Sequence, residues 1–331
     1  MHRWRIAAAS AVAGLLLVAG CTSDPEAASA DNQNNSGDGP DVTIGFVPGL
    51  ASDPFFLSMQ RGAQAEADAL GAELIWQGSP DEWSPESQIP FVDAVLASGI
   101  DAFILNPTDP VSLQASVEKA HNQDLPVILV DQSVEDRTNV ASFITGDNVA
   151  GGRAAAEEMI DQIGGEGKVF ILGSAPADLT NRLRVQGFEE VIAEHPDVEI
   201  VGIEYQNSSS ERATSIINTI LLAEPDLDGI FAVNGTGTTG AAAAVRNNGV
   251  AGEVKLIGYD AYEAAVEELR EGTVTALVAQ QPGEQGRLAV RYAYALATDD
   301  ESVDIEEEVI LENIVLTADN LSDNEQYIYE D

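Results

Sequence analysis

Lysine, cysteine and histidine are scarce in this 331-residue chain. It has three lysines, one cysteine and three histidines, and its 56 acidic residues outnumber 15 basic ones, for a formal net charge of -41. A single cysteine excludes an intramolecular disulfide and a cysteine-based structural zinc site. So few Lys and Arg leave no basic surface for phosphates, which excludes nucleic acid as a partner. The apolar share of 44% fits a folded protein, and the length suits two domains.

The one cysteine ends a segment that has the parts of an export signal. Arg3 and Arg5 precede an apolar run from Ala7 to Ala19, and the letters LVAGC lead to Cys21. The run is too short to cross a bilayer comfortably. Residues 1–20 resemble a bacterial lipoprotein signal peptide, whose cleavage leaves Cys21 as a lipid-modified N-terminus. The alternative is an ordinary signal peptide with an incidental cysteine.

Residues 21–41 are predicted to form a flexible tether. The stretch 23–40 has no Leu, Ile, Val or aromatic residue and is rich in Asn, Ser, Asp and Gly, so it cannot bury apolar surface. Cleavage of the signal removes Arg3 and Arg5 and changes the net charge to -43. We expect an exported, acidic protein that is held at the outer face of the cytoplasmic membrane by its lipid anchor only.

From Val42 onward, short β-rich runs alternate with helical patterns. The runs read VTIGFV, AELIWQ, AFIL, PVILV, KVFIL, EIVGIEY, GIFAVN, KLIGYD and TALVAQ. Nearly continuous apolar strands with helices between them indicate parallel sheets covered on both faces, and hence an α/β fold. The first helix is well marked, because Asp53 can cap it, Pro54 suits its first position and Gly71 can end it.

Residues that directly follow the strands are the first candidates for ligand contacts, because open α/β sheets bind ligands at the carboxyl ends of their strands. These candidates are Asp53, Phe55, Phe56, Trp83, Asn106, Asp131, Gln132, Asn234, Asp260 and Gln280. Amides, carboxylates and aromatic rings suit a ligand covered with hydroxyl groups and suit a phosphate poorly.

Several motifs at these positions resemble the periplasmic sugar-binding proteins of ABC importers, in particular the ribose-binding-protein-like group. They are DPFFLSMQRGAQAEADALG (53–71), NPTDP (106–110), LPVILVDQ (125–132), TGDNVAGGRAA (145–155), NRLRVQGF (181–188), FAVNG (231–235), IGYDA (257–261) and VAQQPGEQG (278–286). The resemblance implies two Rossmann-like lobes of the type I periplasmic-binding-protein architecture, joined by a three-segment hinge. The implied N-terminal lobe is 42–145 plus 281–311, and the implied C-terminal lobe is 146–280 plus 312–331.

The resemblance also implies roles for individual residues. Phe55 and Phe56 would pack on the faces of the sugar. Hydrogen bonds to its hydroxyls would come from Asn106, Asp131, Arg184, Asn234, Asp260 and Gln280. Gln132 stands where the ribose binders of the group have Arg, and Asp53 stands where they have Asn, which favours a ligand other than ribose.

Each of these residues has a structural alternative. Asp53 can act purely as a helix cap, the two phenylalanines as core, Asn106 as a turn residue before Pro107, and Asp131 as a cap. Trp83 is either a lid over the ligand or a local packing anchor. Because adjacent residues point different ways on a helix, we expect at least one of Phe55 and Phe56 to leave the core.

Two enzymatic interpretations also arise from the sequence. The glycines of GTGTTG (235–240) follow a strand and match the dinucleotide fingerprint, with Asp260 twenty residues beyond Gly240. This motif leaves an NAD-binding enzyme as a remote alternative, although it falls late in the chain. Asp131 and Asp260 could in principle act as the acid and nucleophile of a glycosidase, but we interpret them as hydroxyl acceptors.

The sequence therefore predicts a lipid-anchored solute-binding protein, not an enzyme, with no cofactor and no metal. It would capture a monosaccharide or sugar alcohol as a monomer and deliver it to the transmembrane subunits of an ABC permease. A receptor that presents the liganded form to a sensor kinase or chemoreceptor is the second hypothesis.

Overall fold

The computed structural model describes residues 42–329, so the predicted signal peptide, Cys21 and the tether lie outside the described residues. Its strands are β1 (Thr43–Val47), β2 (Glu73–Trp76), β3 (Ala102–Leu105), β4 (Val127–Val130), β5 (Ser142–Gly146), β6 (Gly167–Gly173), β7 (Val198–Tyr205), β8 (Gly229–Ala232), β9 (Lys255–Tyr259), β10 (Ala276–Ala279), β11 (Glu308–Leu311) and β12 (Ile314–Leu316). Its helices are α1 (Pro54–Leu70), α2 (Pro85–Leu96), α3 (Gln114–His121), α4 (Asn148–Ile163), α5 (Leu179–Ile192), α6 (Ser210–Ala223), α7 (Gly235–Asn248), α8 (Glu263–Arg270) and α9 (Pro282–Ala297). Within 42–329 no helix has the length and apolar character needed to cross a membrane.

The strands form two six-stranded sheets with matching strand order. The first sheet runs β11-β5-β4-β3-β1-β2, and the second runs β12-β10-β9-β8-β6-β7. All neighbours are parallel except β12, which is antiparallel to β10. The predicted α/β fold with two parallel sheets is confirmed. In each sheet the order reverses beside the first strand, at β1 and at β6, which is where doubly wound sheets bind ligands.

Nine of the twelve strands coincide with the runs found in the sequence, and three do not. The strands β5, β11 and β12 were not predicted. The strand β11 begins in the acidic run 306–308, and β12 has three residues, so neither shows a clear apolar pattern. The burial of β5 depends on β4 and β11, which flank it.

The chain passes between the two sheets three times, as the predicted hinge requires. It leaves the first sheet after β5 at Gly146, leaves the second after β10 at Ala279, and returns from β11 to β12 across residues 312 and 313. The helix that follows the first crossing, α4, packs beside the second sheet, and α9 packs beside the first. The lobe limits proposed from the sequence remain predictions.

The predicted start and end of α1 are confirmed in detail. The carboxylate of Asp53 accepts a hydrogen bond from the backbone nitrogen of Phe55 over 2.9 Å, and Pro54 occupies the first turn. Gly71 ends the helix with φ of 71°, a left-handed conformation that glycine adopts without steric cost. This start places the first turn of α1 at the carboxyl end of β1.

A close contact between α4 and α5 fixes the second lobe. A Cβ atom on Gly152 would overlap the backbone carbonyl of Arg184, and one on Gly187 would overlap the carbonyl of Val149. The two helices therefore approach each other at backbone distance. This contact sets the position of Arg184, whose side chain reaches the functional site.

Candidate functional site

An open cavity lies between residues that follow strands of both sheets. Ten of the eleven residues predicted to bind ligand are on its wall: Asp53, Phe55, Phe56, Trp83, Asp131, Gln132, Arg184, Asn234, Asp260 and Gln280. Their role in ligand binding remains a prediction, but the structure brings them together from positions up to 227 residues apart in the chain.

Asn106 is the predicted residue that does not line the cavity. It is completely buried, and its Nδ2 donates to the carbonyl of Val130 over 2.9 Å and to Oδ2 of Asp131 over 3.0 Å. Its Oδ1 has no hydrogen-bond partner and lies beside Gly49, close to the ring of Trp83. In this structure Asn106 supports the Asp131 carboxylate from behind.

Asp131 presents a buried carboxylate to the cavity. It adopts a left-handed φ of 60°, which Asp tolerates better than most residues, and the hydroxyl of Thr145 donates to its carbonyl over 2.9 Å. Burial raises the pKa of Asp131 to about 7; Arg184 opposes this rise, and the charges of Asp178 and Asp260 add to it. The carboxyl therefore holds its proton up to near-neutral pH in the ligand-free cavity.

Asp260 is the counterpart of Asp131 in the second sheet and has the same kind of backbone, with φ of 68°. Its Oδ2 accepts from the backbone nitrogen of Gly235 over 2.9 Å, and its Oδ1 accepts from Nε2 of Gln280 over 2.8 Å. The hydroxyl of Tyr329 lies 3.4 Å from the same Oδ1. The Asp260 carboxylate is therefore oriented from three sides.

Asp53 is both a helix cap and part of the cavity wall, so the two interpretations of this residue are compatible. Its Oδ1 accepts from the Phe55 backbone and also from the hydroxyl of Tyr262 over 2.7 Å. Burial raises the pKa of Asp53 to about 6, against the lowering effect of these two hydrogen bonds.

Three aromatic rings form the apolar part of the wall. Phe55 and Phe56 are both buried, and their rings meet edge to face at 5.1 Å. The expectation that at least one would leave the core is wrong, because the first turn of α1 lies at the cavity and both rings pack there. The ring of Trp83 is stacked with Phe56 at 6.0 Å, so Trp83 is at once a wall residue and a packing partner.

Arg184 is the cation on this wall, and its side chain is held firmly. Its Nε donates to Oδ1 of Asn148 over 2.8 Å, and its Nη1 donates to the carbonyl of Val233 over 2.7 Å. The guanidinium lies over the ring of Tyr259, 3.8 Å from the ring centre. Its pKa is raised despite burial, by the nearby Tyr259, Asp260 and Asp131. Because these contacts are all within the protein, the guanidinium is held in place as a hydrogen-bond donor before a ligand binds.

Gln132 lies on the cavity wall and hydrogen-bonds to side chains of the other lobe, and its role in ligand binding stays a prediction. Its Nε2 donates to Oδ1 of Asp178 over 2.7 Å and to the hydroxyl of Thr180 over 3.2 Å. Sequence reasoning missed Asp178 and Thr180, as well as Ser174 and Tyr262, all of which line the cavity. The signal was available for Ser174, because it directly follows β6 and the strand-end rule applies to it as well.

The glycine motif at 235–240 opens α7, but the amides of its first two glycines already have partners within the protein. The nitrogen of Gly235 donates to Asp260, and that of Gly237 donates to the side chain of Asn234, which caps the helix. A Cβ on Gly240 would overlap the backbone of Ser210. Helix packing and capping account for the motif, so it offers no open cradle for a pyrophosphate.

The wall therefore combines aromatic faces, carboxylate and amide groups, and one fixed guanidinium. Hydroxyl groups both donate and accept hydrogen bonds, so they match such a mixture. Within residues 42–329, no three His, Cys, Asp or Glu side chains gather in a way that could hold a metal ion. The fold and this cavity define a two-lobed binding protein.

Comparison with known proteins identifies the family. The model of the periplasmic binding protein domain matches residues 44–301, and the chain belongs to this family. It is similar to the ribose import binding protein RbsB of Bacillus subtilis, with 29% identity over 84% of this chain and 88% of the relative. It is also similar to the D-allose-binding periplasmic protein of Escherichia coli, with 27% identity over 72% of this chain and 79% of the relative.

Two crystal structures show the same architecture. An ABC transporter solute-binding protein from Agrobacterium vitis, bound with α-D-tagatopyranose, has a TM-score of 0.83 and 32% identity, covering 88% of this chain and all of that one. A periplasmic solute-binding protein from Actinobacillus succinogenes with bound D-allose has a TM-score of 0.80 and 28% identity, covering 86% of this chain and all of that one. The resemblance stated from the sequence is confirmed, and the protein is a binding protein, not an enzyme.

Proposed function

We propose that this protein captures a neutral monosaccharide or sugar alcohol in the cavity between its lobes and delivers it to the permease of an ABC importer. The observation that carries the proposal is the pairing of three aromatic rings with carboxylate, amide and guanidinium groups on one wall. The C-H faces of a sugar pack on aromatic rings, while its hydroxyls exchange hydrogen bonds with the polar groups.

The relatives support a sugar but do not select one. One is named for ribose import, and the two crystal structures hold tagatose and allose at 32% and 28% identity. Because the Gln132 amide is committed to Asp178, we propose that it gives the ligand no donor, in keeping with a ligand other than ribose.

Binding of purified mature protein to a panel of pentoses, hexoses and polyols, measured by calorimetry, tests the proposal. We expect one or more tight binders and a loss of about tenfold or more in affinity for Arg184→Lys, because lysine cannot reproduce the fixed planar donors. Arg182→Lys is the matched control, since Arg182 is exposed on the same helix. The absence of any binder across the panel would overturn the sugar assignment.

Export and anchoring through Cys21 form the second part of the proposal. The support is the sequence of residues 1–21, with its basic start, apolar run and terminal cysteine. In membrane fractionation, we expect the wild-type protein with the membranes. Recovery of Cys21→Ala in the same membrane fraction would contradict the anchor while leaving the sugar assignment intact.

A further inference from the structure

Two side chains donate hydrogen bonds directly from one lobe to the other at the edge of the cavity. The hydroxyl of Tyr262 donates to Oδ1 of Asp53 over 2.7 Å, and Nε2 of Gln132 donates to Oδ1 of Asp178 over 2.7 Å and to the hydroxyl of Thr180 over 3.2 Å. Asp53 and Gln132 follow strands of the first sheet, whereas Asp178 and Tyr262 follow strands of the second. Each lobe thus supplies one donor side chain and one acceptor carboxylate.

The two bonds are related by the matching topology of the lobes. Each acceptor caps the helix after a corresponding strand, since Asp53 caps α1 after β1 and Asp178 caps α5 after β6, and β1 and β6 hold matching places in the two sheets. Each donor lies within two residues of a left-handed aspartate, because Gln132 comes one residue after Asp131 and Tyr262 two residues after Asp260. The two bonds therefore run in opposite directions between the lobes.

Both acceptors are oriented by their own lobe before the lobes meet. Oδ1 of Asp53 accepts from the backbone of Phe55 over 2.9 Å. Oδ1 of Asp178 accepts from the hydroxyl of Thr180 over 2.9 Å and from the backbone of Asn181 over 3.2 Å. A carboxylate held in this way loses little side-chain entropy when a donor arrives from the other lobe, and hydrogen bonds to charged groups are the stronger kind.

We propose that Tyr262 and Gln132 are positioning residues that hold the lobes together across the cavity, acting through Asp53 and Asp178 and not through contacts with the ligand. Because the readout is sugar affinity, the inference rests on the proposed function. Bonds between the lobes contribute the same free energy whatever sugar is enclosed. Their loss should therefore weaken every sugar by the same factor and leave the order of preference unchanged.

The variants Tyr262→Phe and Gln132→Met remove the donors and keep most of the side-chain volume. We expect each to raise the dissociation constants of three sugars of different affinity by about tenfold, in the same ratio, mostly through faster dissociation. The matched controls are Tyr294→Phe on α9 and Gln186→Met on α5, which do not line the cavity. Urea unfolding separates this effect from a loss of stability.

Two results would overturn the inference. One is a changed order of sugar preference in Gln132→Met, which would make Gln132 a ligand contact; the other is unchanged affinity in both variants. If no sugar binds even the wild type, the proposed function fails on its own. Small-angle X-ray scattering of the ligand-free wild type and variants then tests the inference without a sugar. Loss of a bond between the lobes should increase the radius of gyration, and an unchanged radius would refute the role.

Discussion

The hydroxyl of Tyr329 accepts a hydrogen bond from the backbone nitrogen of Gln280 over 2.9 Å. Gln280 is the first residue after β10, where the chain leaves the second sheet, and its Nε2 donates to the Asp260 carboxylate. The Tyr329 ring also meets Phe55 of the first lobe edge to face at 6.0 Å. One buried tyrosine from the C-terminal segment therefore touches a hinge crossing, a carboxylate of the cavity and an aromatic ring of the opposite lobe.

Replacement of Tyr329 by Phe tests this arrangement. The variant leaves the buried nitrogen of Gln280 without an acceptor, so we expect the free energy of unfolding to fall by about 1–3 kcal/mol. Because Gln280 and Asp260 lose support, we expect sugar affinity to fall by about fivefold. Urea unfolding and calorimetry measure the two effects. Tyr294→Phe should change neither, and normal binding by Tyr329→Phe would show that the hydroxyl is not needed at the site.

Asp131 should make the stability of the ligand-free protein depend on pH. Its pKa is about 7 in the folded protein and 3.8 for an ordinary Asp, so the folded state binds more protons between these values. The free energy of unfolding therefore falls as the pH rises through this window and levels off above it. In Asp131→Asn this loss is absent, so at about pH 8 we expect the variant to be the more stable by on the order of 3 kcal/mol.

Urea unfolding at several pH values measures this difference between wild type and variant. Asp136→Asn is the control, because Asp136 is exposed and its pKa is lowered by Thr138. A constant difference between Asp131→Asn and wild type across the window would show that Asp131 does not titrate there.

Ligand binding should have the opposite pH dependence. A sugar hydroxyl that donates to Asp131 or Asp53 stabilises the ionised carboxylate, so binding lowers the pKa of that group and releases a proton. With pKa values of about 7 and about 6 in the empty cavity, we expect affinity to rise as the pH increases through this range. Calorimetry in buffers of different ionisation enthalpy counts the released protons. Proton uptake on binding would contradict this mechanism.

The α4–α5 contact predicts a distant effect on the site. Gly152→Ala places a methyl group against the carbonyl of Arg184, so we expect α5 to shift, at a cost of about 1–3 kcal/mol in unfolding free energy. Sugar affinity should fall as well, because Arg184 moves with its helix. In Gly202→Ala the new Cβ would lie 3.6 Å from the Phe170 ring, an ordinary contact, so this control should behave as wild type. Full affinity in Gly152→Ala would show that Arg184 adapts.

Local signals in the sequence were enough for the fold and for most of the wall. Asp53, Pro54 and Gly71 mark the limits of α1 by rules that involve only their neighbours. Residues at strand ends can be assigned to one edge of a sheet without knowing the packing, and that rule placed Asp131 and Asp260 on the wall correctly. The short strands β11 and β12 could not be predicted from the sequence, because only their pairing with β5 and β10 defines them.

The partners of these residues could not be obtained in the same way. Asn106 and Asp131 both follow strands of one sheet, and only the packing shows that the Asn106 amide donates to the Asp131 carboxylate. The bond between Gln132 and Asp178 depends on the relative position of two lobes, which no local pattern encodes. The backbone nitrogen of Tyr329 donates to the carbonyl of Ala261, 68 residues earlier, and no local pattern shows that this places the Tyr329 hydroxyl at the hinge.

Trp83 gives this protein an optical reporter of its own cavity. The described residues contain one other tryptophan, Trp76, whose ring packs on Phe46 of β1, 4.3 Å away, and is not on the cavity wall. Indole emission responds to the polarity of its surroundings, so a ligand that displaces water beside Trp83 should alter the fluorescence while Trp76 supplies a steady background. Occupancy could then be followed by light, without a dye and without touching the residues that hold the two lobes together.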